Sequence, residues 1–296
     1  MIQGALAWLA MGVAVSLAAS MATDSYAIQH FNRVSLYGVP SNLLMEPLST
    51  FLIMPALAAG ALLECFGVGG WLLQVAGFGV YLLNALAKAV AGWPHAVWIV
   101  PSAPAIALPI ASMGLLWLCL WRGRLRLLGV PAALAVLLWP RPDPPAVWVA
   151  SDGGAAAITE AGKAVFLRPD AKHFAADLWA RRRGLVEPKD AQAQVDARFD
   201  CNRRRCLPMA GVTPKLAAWW TRRAPSADDM QQLCDGAEIV IFRGDQVPAA
   251  CPDALTLTGA DFRRGGSVEI FRAADRWRLL WANDERGARP WTRPTG

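Results

Sequence analysis

Cys65-Phe-Gly-Val-Gly-Gly-Trp-Leu-Leu-Gln-Val-Ala-Gly-Phe-Gly-Val-Tyr-Leu-Leu-Asn-Ala-Leu-Ala87 runs for 23 residues without a charge. As an α-helix rising 1.5 Å per residue it would reach about 35 Å, enough for a hydrocarbon core about 30 Å thick. The flanking runs 47–63 and 89–121 are also uncharged, at 17 and 33 residues. Residues 2–19 supply a further apolar run, and 127–139 a shorter one behind Arg122, Arg124 and Arg126. This pattern predicts four or five membrane helices in residues 1–139. The first run lacks a basic leader and is followed by more apolar segments, so it reads as a retained helix and not a cleaved signal.

Charge divides the chain in two. Residues 1–139 hold five basic side chains (Arg33, Lys88, Arg122, Arg124, Arg126) and three acidic ones (Asp24, Glu46, Glu64). Of 29 basic and 23 acidic residues in all, 24 and 20 therefore fall in 140–296. A single soluble globule and a disordered chain are both excluded. The fold class expected is a polytopic α-helical membrane domain, 1–139, followed by an α+β extracytoplasmic domain, 140–296. Short loops rich in Arg and Lys stay in the cytoplasm. The cluster Arg122, Arg124 and Arg126 thus sends a fifth helix outward and places the polar half outside. Trp93, Trp98, Trp117, Trp121 and Trp139 lie near expected helix ends, as an interfacial belt would.

Cysteine usage gives a separate reading of compartment. Cys65 and Cys119 lie in apolar runs, whereas Cys201, Cys206, Cys234 and Cys251 lie in the polar half. An even number there fits an oxidising compartment. Pairing Cys201 with Cys206 and Cys234 with Cys251 is the simplest of three connectivities. Free thiols and a zinc site are the alternatives, although the spacings are not those of paired zinc knuckles.

Between the first two apolar runs lies Asp24-Ser-Tyr-Ala-Ile-Gln-His-Phe-Asn-Arg-Val-Ser-Leu-Tyr-Gly-Val-Pro-Ser-Asn-Leu-Leu-Met-Glu-Pro47, too polar for its surroundings. A helix continued through Tyr37 would align Tyr26, His30, Arg33 and Tyr37 on one face, with Gly38 and Pro40 breaking it. Charged groups at membrane depth face a cavity or a partner, and irregular backbone there needs the same shelter. The segment reads either as a re-entrant element lining a polar pathway or as a loop lying on the membrane surface.

The same residues resemble the ComEC family of competence proteins, with an aromatic-bearing stretch leading into Asn42-Leu-Leu-Met-Glu-Pro47. Trp117-Leu-Cys-Leu-Trp-Arg-Gly-Arg124 resembles the end of that family's membrane domain. Asp200-Cys…Cys206, Cys234-Asp-Gly-Ala-Glu-Ile-Val-Ile, Cys251 and the closing Arg289-Pro-Trp resemble its C-terminal region in one bacterial branch. The resemblance implies a multi-pass protein of the bacterial inner membrane, its C-terminal domain periplasmic, that passes single-stranded DNA inward during natural transformation. His30, Arg33, Tyr37 and Asn42 would line the DNA pathway. Arg33 would offer a cation to phosphate, Tyr37 an amphipathic ring, and Asn42 with Pro47 a way to shape the helix start. Family members carry more sequence ahead of the matching segment, so the chain is expected to be the C-terminal portion of such a channel. Besides DNA and lipid, the implied partners are a separate N-terminal half, other competence proteins or further copies of the chain.

The proline run Pro140-Arg-Pro-Asp-Pro-Pro145 reads as a stiff linker. After it come short β-type runs at 146–150, 155–159, 164–167, 237–242, 254–258, 267–271 and 277–281, with Gly153-Gly154 and Gly265-Gly266 as turns. Helices are expected at 172–183 and Ala227–Cys234, the second with Ser226 and Asp229 placed as a capping box. Many relatives carry a metallo-β-lactamase-type hydrolase domain here, whose chemistry needs clustered His and Asp ligands. This chain has three His, of which only His173 lies in the polar half, so no catalytic residue, metal or cofactor is expected. Arginine runs at 181–183, 203–205 and 222–223, and Arg276-Trp-Arg278, could contact nucleic acid or form solvated faces. Against DNA import stands one alternative: a membrane-anchored, disulfide-braced envelope protein that binds or braces without transport.

Overall fold

The computed structural model of the chain describes residues 2–186, 190–247, 250–274, 276–287 and 289, and divides it into two units, Met1–Arg141 and Pro142–Gly296. Pro290 and Trp291 of the closing motif lie outside the described residues.

In the first unit, helix α1 (Ile2–Phe31) ends where Asn32 turns to a φ of 60°. Asparagine tolerates this left-handed region better than most residues. Its side chain, only 2% exposed, donates to the Val100 carbonyl at 3.1 Å and to Ser102 Oγ at 2.9 Å. Arg33–Ser35 then extends as β1 and pairs antiparallel with β2 (Val97–Ile99). The helix expected through Tyr37 is therefore corrected, because β2 takes the backbone groups that a further turn would have used. Gly38 and Pro40 do not break a helix either. They open α2 (Gly38–Leu48), where the N–H that proline lacks has no helical partner to lose.

Pro47 lies inside α2 and removes one donor from its ladder. The next five residues, Ser49–Ile53, wind as a π-helix before α3 (Met54–Glu64) resumes the regular pitch. The three pieces form one rod, Gly38–Glu64, of 27 residues, and α4 (Gly70–Ala91) follows it. These two are long and apolar enough to cross a membrane, whereas α5 (Ala107–Leu120) is apolar but shorter. Phe51, Phe66, Trp71, Tyr81 and Leu120 are each more than 60% exposed.

The helix expected over 127–139 is not continuous. A 3₁₀ turn (Arg124–Leu128) leads into α6 (Gly129–Ala133) and α7 (Ala135–Leu138), with Leu134 leaving helical geometry between them. These pieces lie directly on the backbone of α5. A Cβ built on Gly114 would sit 2.2 Å from the Ala133 nitrogen.

The second unit contains β3 (Val147–Val149), β4 (Ala156–Glu160), β5 (Lys163–Phe166), β6 (Phe199–Cys201) and β7 (Arg205–Pro208). It continues with β8 (Leu216–Trp219), β9 (Ile239–Phe242), β10 (Leu255–Leu257), β11 (Val268–Ala273) and β12 (Arg276–Trp281). One antiparallel sheet has the order β12-β11-β3-β4-β5, and the other, mixed, has the order β10-β9-β8-β7-β6. Alternation along the strands builds three layers of apolar contact. Val147, Val149 and Ile158 of the first sheet meet Leu216, Ile239 and Ile241 of the second in a single core. On the outer face of the first sheet, Trp148, Ala157 and Phe166 pack under Ala176, Trp179 and Ala180 of α8 (His173–Arg183). Short α9 (Ala191–Asp196) precedes β6. On the outer face of the second sheet, Ala217, Val240 and Phe242 pack under Met230 and Leu233 of α10 (Ala227–Cys234). The layer order is helix, sheet, sheet, helix, with each fully buried aliphatic side chain contributing about 1.5–3 kcal/mol. Helices α11 (Gly259–Gly265) and α12 (Ala282–Arg286) complete the unit.

Helix α10 is fastened at both ends. Ser226 and Asp229 form the expected capping box, and Arg205 Nη1 reaches Asp229 Oδ1 at 2.9 Å. At the other end Cys234 is bonded to Cys251, and a second disulfide, Cys201–Cys206, joins directly opposed residues of β6 and β7. Cys234 and Cys251 lie 17 residues apart, a loop whose closure stabilises by about 3 kcal/mol in the chain-entropy picture, against about 2 kcal/mol for the shorter one. Replacing Cys234 and Cys251 by Ser should lower the urea midpoint, followed by Trp fluorescence, more than replacing Cys201 and Cys206. The reverse order would mean that strain or residual structure, and not loop length, governs these bonds.

Candidate nucleic-acid pathway

The polar segment of the first unit sorts into a buried face and an exposed one. Ser25, Ile28 and Asn32 are buried, on the side of α1 that packs inward. Ser25 Oγ donates to the Ala133 carbonyl at 3.4 Å, and Gln29 Nε2 donates to the Ala103 carbonyl at 3.0 Å. Tyr26 OH lies 2.7 Å from Ser112 Oγ. Gln29 and Asn32 thus satisfy the Ala103 and Val100 carbonyls of the irregular stretch 100–103, whereas Ser25 and Tyr26 tie α1 to residues 133 and 112. Arg141 does the same for the end of the unit, its guanidinium donating to the carbonyls of Pro101, Val136 and Trp139.

The four residues expected to line a pathway occupy different elements. His30 lies in the last turn of α1 and Arg33 on β1, and both are exposed. Among the described residues neither side chain has a hydrogen bond or an ion pair. Tyr37 is instead engaged, with its OH donating to the Pro94 carbonyl at 3.0 Å and its ring edge-on to Trp93 at 5.2 Å. Asn42 is exposed on α2. The structure thus leaves His30 and Arg33 open beside a fixed turn, and no hydrogen bond or ring contact joins them to Tyr37 or Asn42 among the described residues. Gln29, Asn32, Ser102, Ser112 and Arg141 escaped the sequence reading. Gln29 and Asn32 stood in the quoted segment, and their polarity was the available signal; their partners, about 70 residues away, were not.

In the second unit three arginines of the arginine-rich runs are paired with carboxylates. Arg181 pairs with Asp177, Arg183 with Glu269 and Arg205 with Asp229. Arg182, Arg222 and Arg223 are exposed and have no carboxylate partner among the described residues. Among those residues no group of three or more His, Cys, Asp or Glu is placed to hold a metal ion.

Asp152 is a heavily compensated carboxylate. Its burial would raise the pKa, but the Gly154 amide at 3.1 Å, Lys172 at 3.6 Å and Arg243 at 3.1 Å outweigh that and hold it below the usual range. The Ser226 hydroxyl lowers Asp229 in the same direction. A carboxylate depressed in the folded state contributes stability above its unfolded pKa and loses it as pH falls through the folded one. The thermal midpoint of the second unit should therefore hold from neutral pH to about pH 5 and fall below about pH 4. Asp152→Asn should flatten that acid limb, and an unchanged limb would remove Asp152 from the account.

Residues 2–125 match the family model described as Competence protein. That match includes the whole polar segment and ends within the Arg122–Arg126 step. No curated protein and no solved structure matches the chain.

Proposed function

We propose that the chain, whose residues 2–125 match the family model described as Competence protein, is a component of a ComEC-type inner-membrane channel that imports single-stranded DNA during natural transformation. The family match across the polar segment carries this reading. The rod Gly38–Glu64 and α4 supply two spans, with large apolar side chains turned outward as lipid requires. Helices α1 and α5 would complete a multi-pass arrangement. Two disulfides in the second unit favour its location in the periplasm, where such bonds persist. His30 and Arg33, exposed and unpaired on the first unit, are the groups offered to the strand, and Asn42 stands on the helix that follows. We read the role as transport and not hydrolysis on the histidine content of the sequence, in which His173 alone falls in the second unit.

The test is import of fluorescent DNA into the cytoplasm of cells lacking the gene, with and without the 296-residue chain restored. Restored import supports a working part of the channel. Normal import in the deletion strain would leave the resemblance as ancestry alone and favour the envelope-protein reading.

A further inference from the structure

A groove of about 480 Å³ runs between α5 and the chain that returns along it through the 3₁₀ turn into α6. Ile110, Met113, Gly114 and Trp117 line it from α5, with Leu128 and Gly129 opposite. Two glycines create it, since a Cβ on Gly129 would stand 2.8 Å from the Gly114 carbonyl oxygen. The backbones therefore meet at its floor, while Met113 and Leu128, 66% and 68% exposed, leave it open outward. From Ile110 to Trp117 it follows α5 for about 10 Å. The one polar side-chain group on its lining, the Trp117 indole N–H, donates to the Leu125 carbonyl at 3.0 Å.

That bond ties one end of the groove to the turn that carries Arg122, Arg124 and Arg126. Trp121, at the start of the turn, stacks on Trp117 with ring centroids 3.9 Å apart. All three arginines are exposed, and none has a carboxylate partner among the described residues. Residues 1–139 contain only three acids, Asp24, Glu46 and Glu64, so three cations stand within five residues in a unit poor in counterions.

An apolar groove bordered at one end by unneutralised cations fits a ligand with a hydrocarbon tail and an anionic head. We infer that it is a seat for an anionic phospholipid, with one acyl chain along Ile110–Trp117 and the phosphodiester on Arg122, Arg124 and Arg126. Guanidinium forks match phosphate oxygens. The positive-inside rule puts this turn on the cytoplasmic face, whose leaflet is anionic, and basic sites between membrane helices hold such head groups. A second protein helix would fill the groove and leave the cations unmet, whereas a soluble phosphate would meet the cations and leave the groove empty. The inference rests on the membrane placement of the first unit in the reading above, and not on DNA import.

Native mass spectrometry of the full chain in nonionic micelles, given dioleoyl-phosphatidylglycerol and dioleoyl-phosphatidylcholine together, tests it. The wild type should retain phosphatidylglycerol at least ~10-fold over phosphatidylcholine, at roughly fivefold per cation near the phosphate. R122Q/R124Q/R126Q should abolish that preference. R182Q/R222Q/R223Q removes the same charge from the second unit and should keep it. Met113→Trp, at an exposed rim position, narrows the groove with every cation in place and should lower retained phosphatidylglycerol at least ~3-fold. Glycerophosphoglycerol, the head group without chains, should displace none of it at equal concentration. Equal retention of the two lipids, an equal loss in the second-unit control, full retention in Met113→Trp, or displacement by the head group alone would each overturn the seat. Failure of the membrane placement is read separately, by washing membranes that hold the chain with alkaline carbonate. Release of the chain overturns both readings, whereas a chain that stays in the membrane and shows no lipid preference loses the seat alone.

Discussion

Arg33→Ala is expected to reduce import of labelled DNA at least ~10-fold while the protein accumulates at its normal level. The expectation of a normal level follows from the surroundings of Arg33. It is exposed on β1 and has no ion pair among the described residues, so truncation leaves no buried carboxylate behind. The β1–β2 pairing runs through the backbone and is kept by any side chain. The loss of import follows from charge. A hydrogen bond to a charged group is worth about 1.5–3 kcal/mol, which is ~10-fold or more in a step that depends on it. Arg33→Lys should retain part of the activity, because the charge stays and the fork is lost. Import at the wild-type rate with Ala at this position would remove Arg33 from the pathway.

Gly114→Val should have the largest structural effect, preventing the first unit from accumulating in folded form. The obstacle at Gly114 is backbone, with the Ala133 nitrogen and Ala132 carbon 2.2 and 2.6 Å from where a Cβ would stand. No rotamer change relieves that overlap, so α5 and α6 must separate, and inserted volume commonly costs about 1–3 kcal/mol or more. Gly77→Ala in α4 is the matched control, since a Cβ there meets nothing within 4 Å. Size-exclusion profiles and thermal aggregation of the detergent-solubilised variants make the comparison. If Gly114→Val matches the control, the close packing of α5 on α6 is not what holds the unit.

Local chemistry was readable from the chain, and long-range chemistry was not. The β-type runs at 155–159 and 277–281 emerge as β4 and β12, while Ser226 and Asp229 announce the start of α10 within four residues. Strands β6, β7 and β8 were missed. Leu216–Trp219 is a short, wholly buried run that carries no alternation, and Phe199–Cys201 is only three residues long. In the first unit the decisive event is the stop at Asn32. Helical periodicity continues past that point, and what ends the helix is a pair of acceptors at Val100 and Ser102. Arg33 could be named from the sequence, but its placement on a ribbon could not.

The wide turn at Ser49–Ile53 has a consequence for how the rod addresses its neighbours. A regular helix repeats its azimuth every 3.6 residues, so one extra residue of winding rotates everything beyond it by about 100°. Before the turn, Leu43 reaches toward Gly12 of α1; within and beyond it, Ile53 and Gly60 lie against Gly79, Leu72 and Leu73 of α4. The lower and upper halves of this rod are thus clocked to different partners. Deleting a single residue there would restore the regular pitch and turn one half away from its neighbour, a torsional mismatch that no side-chain substitution reproduces.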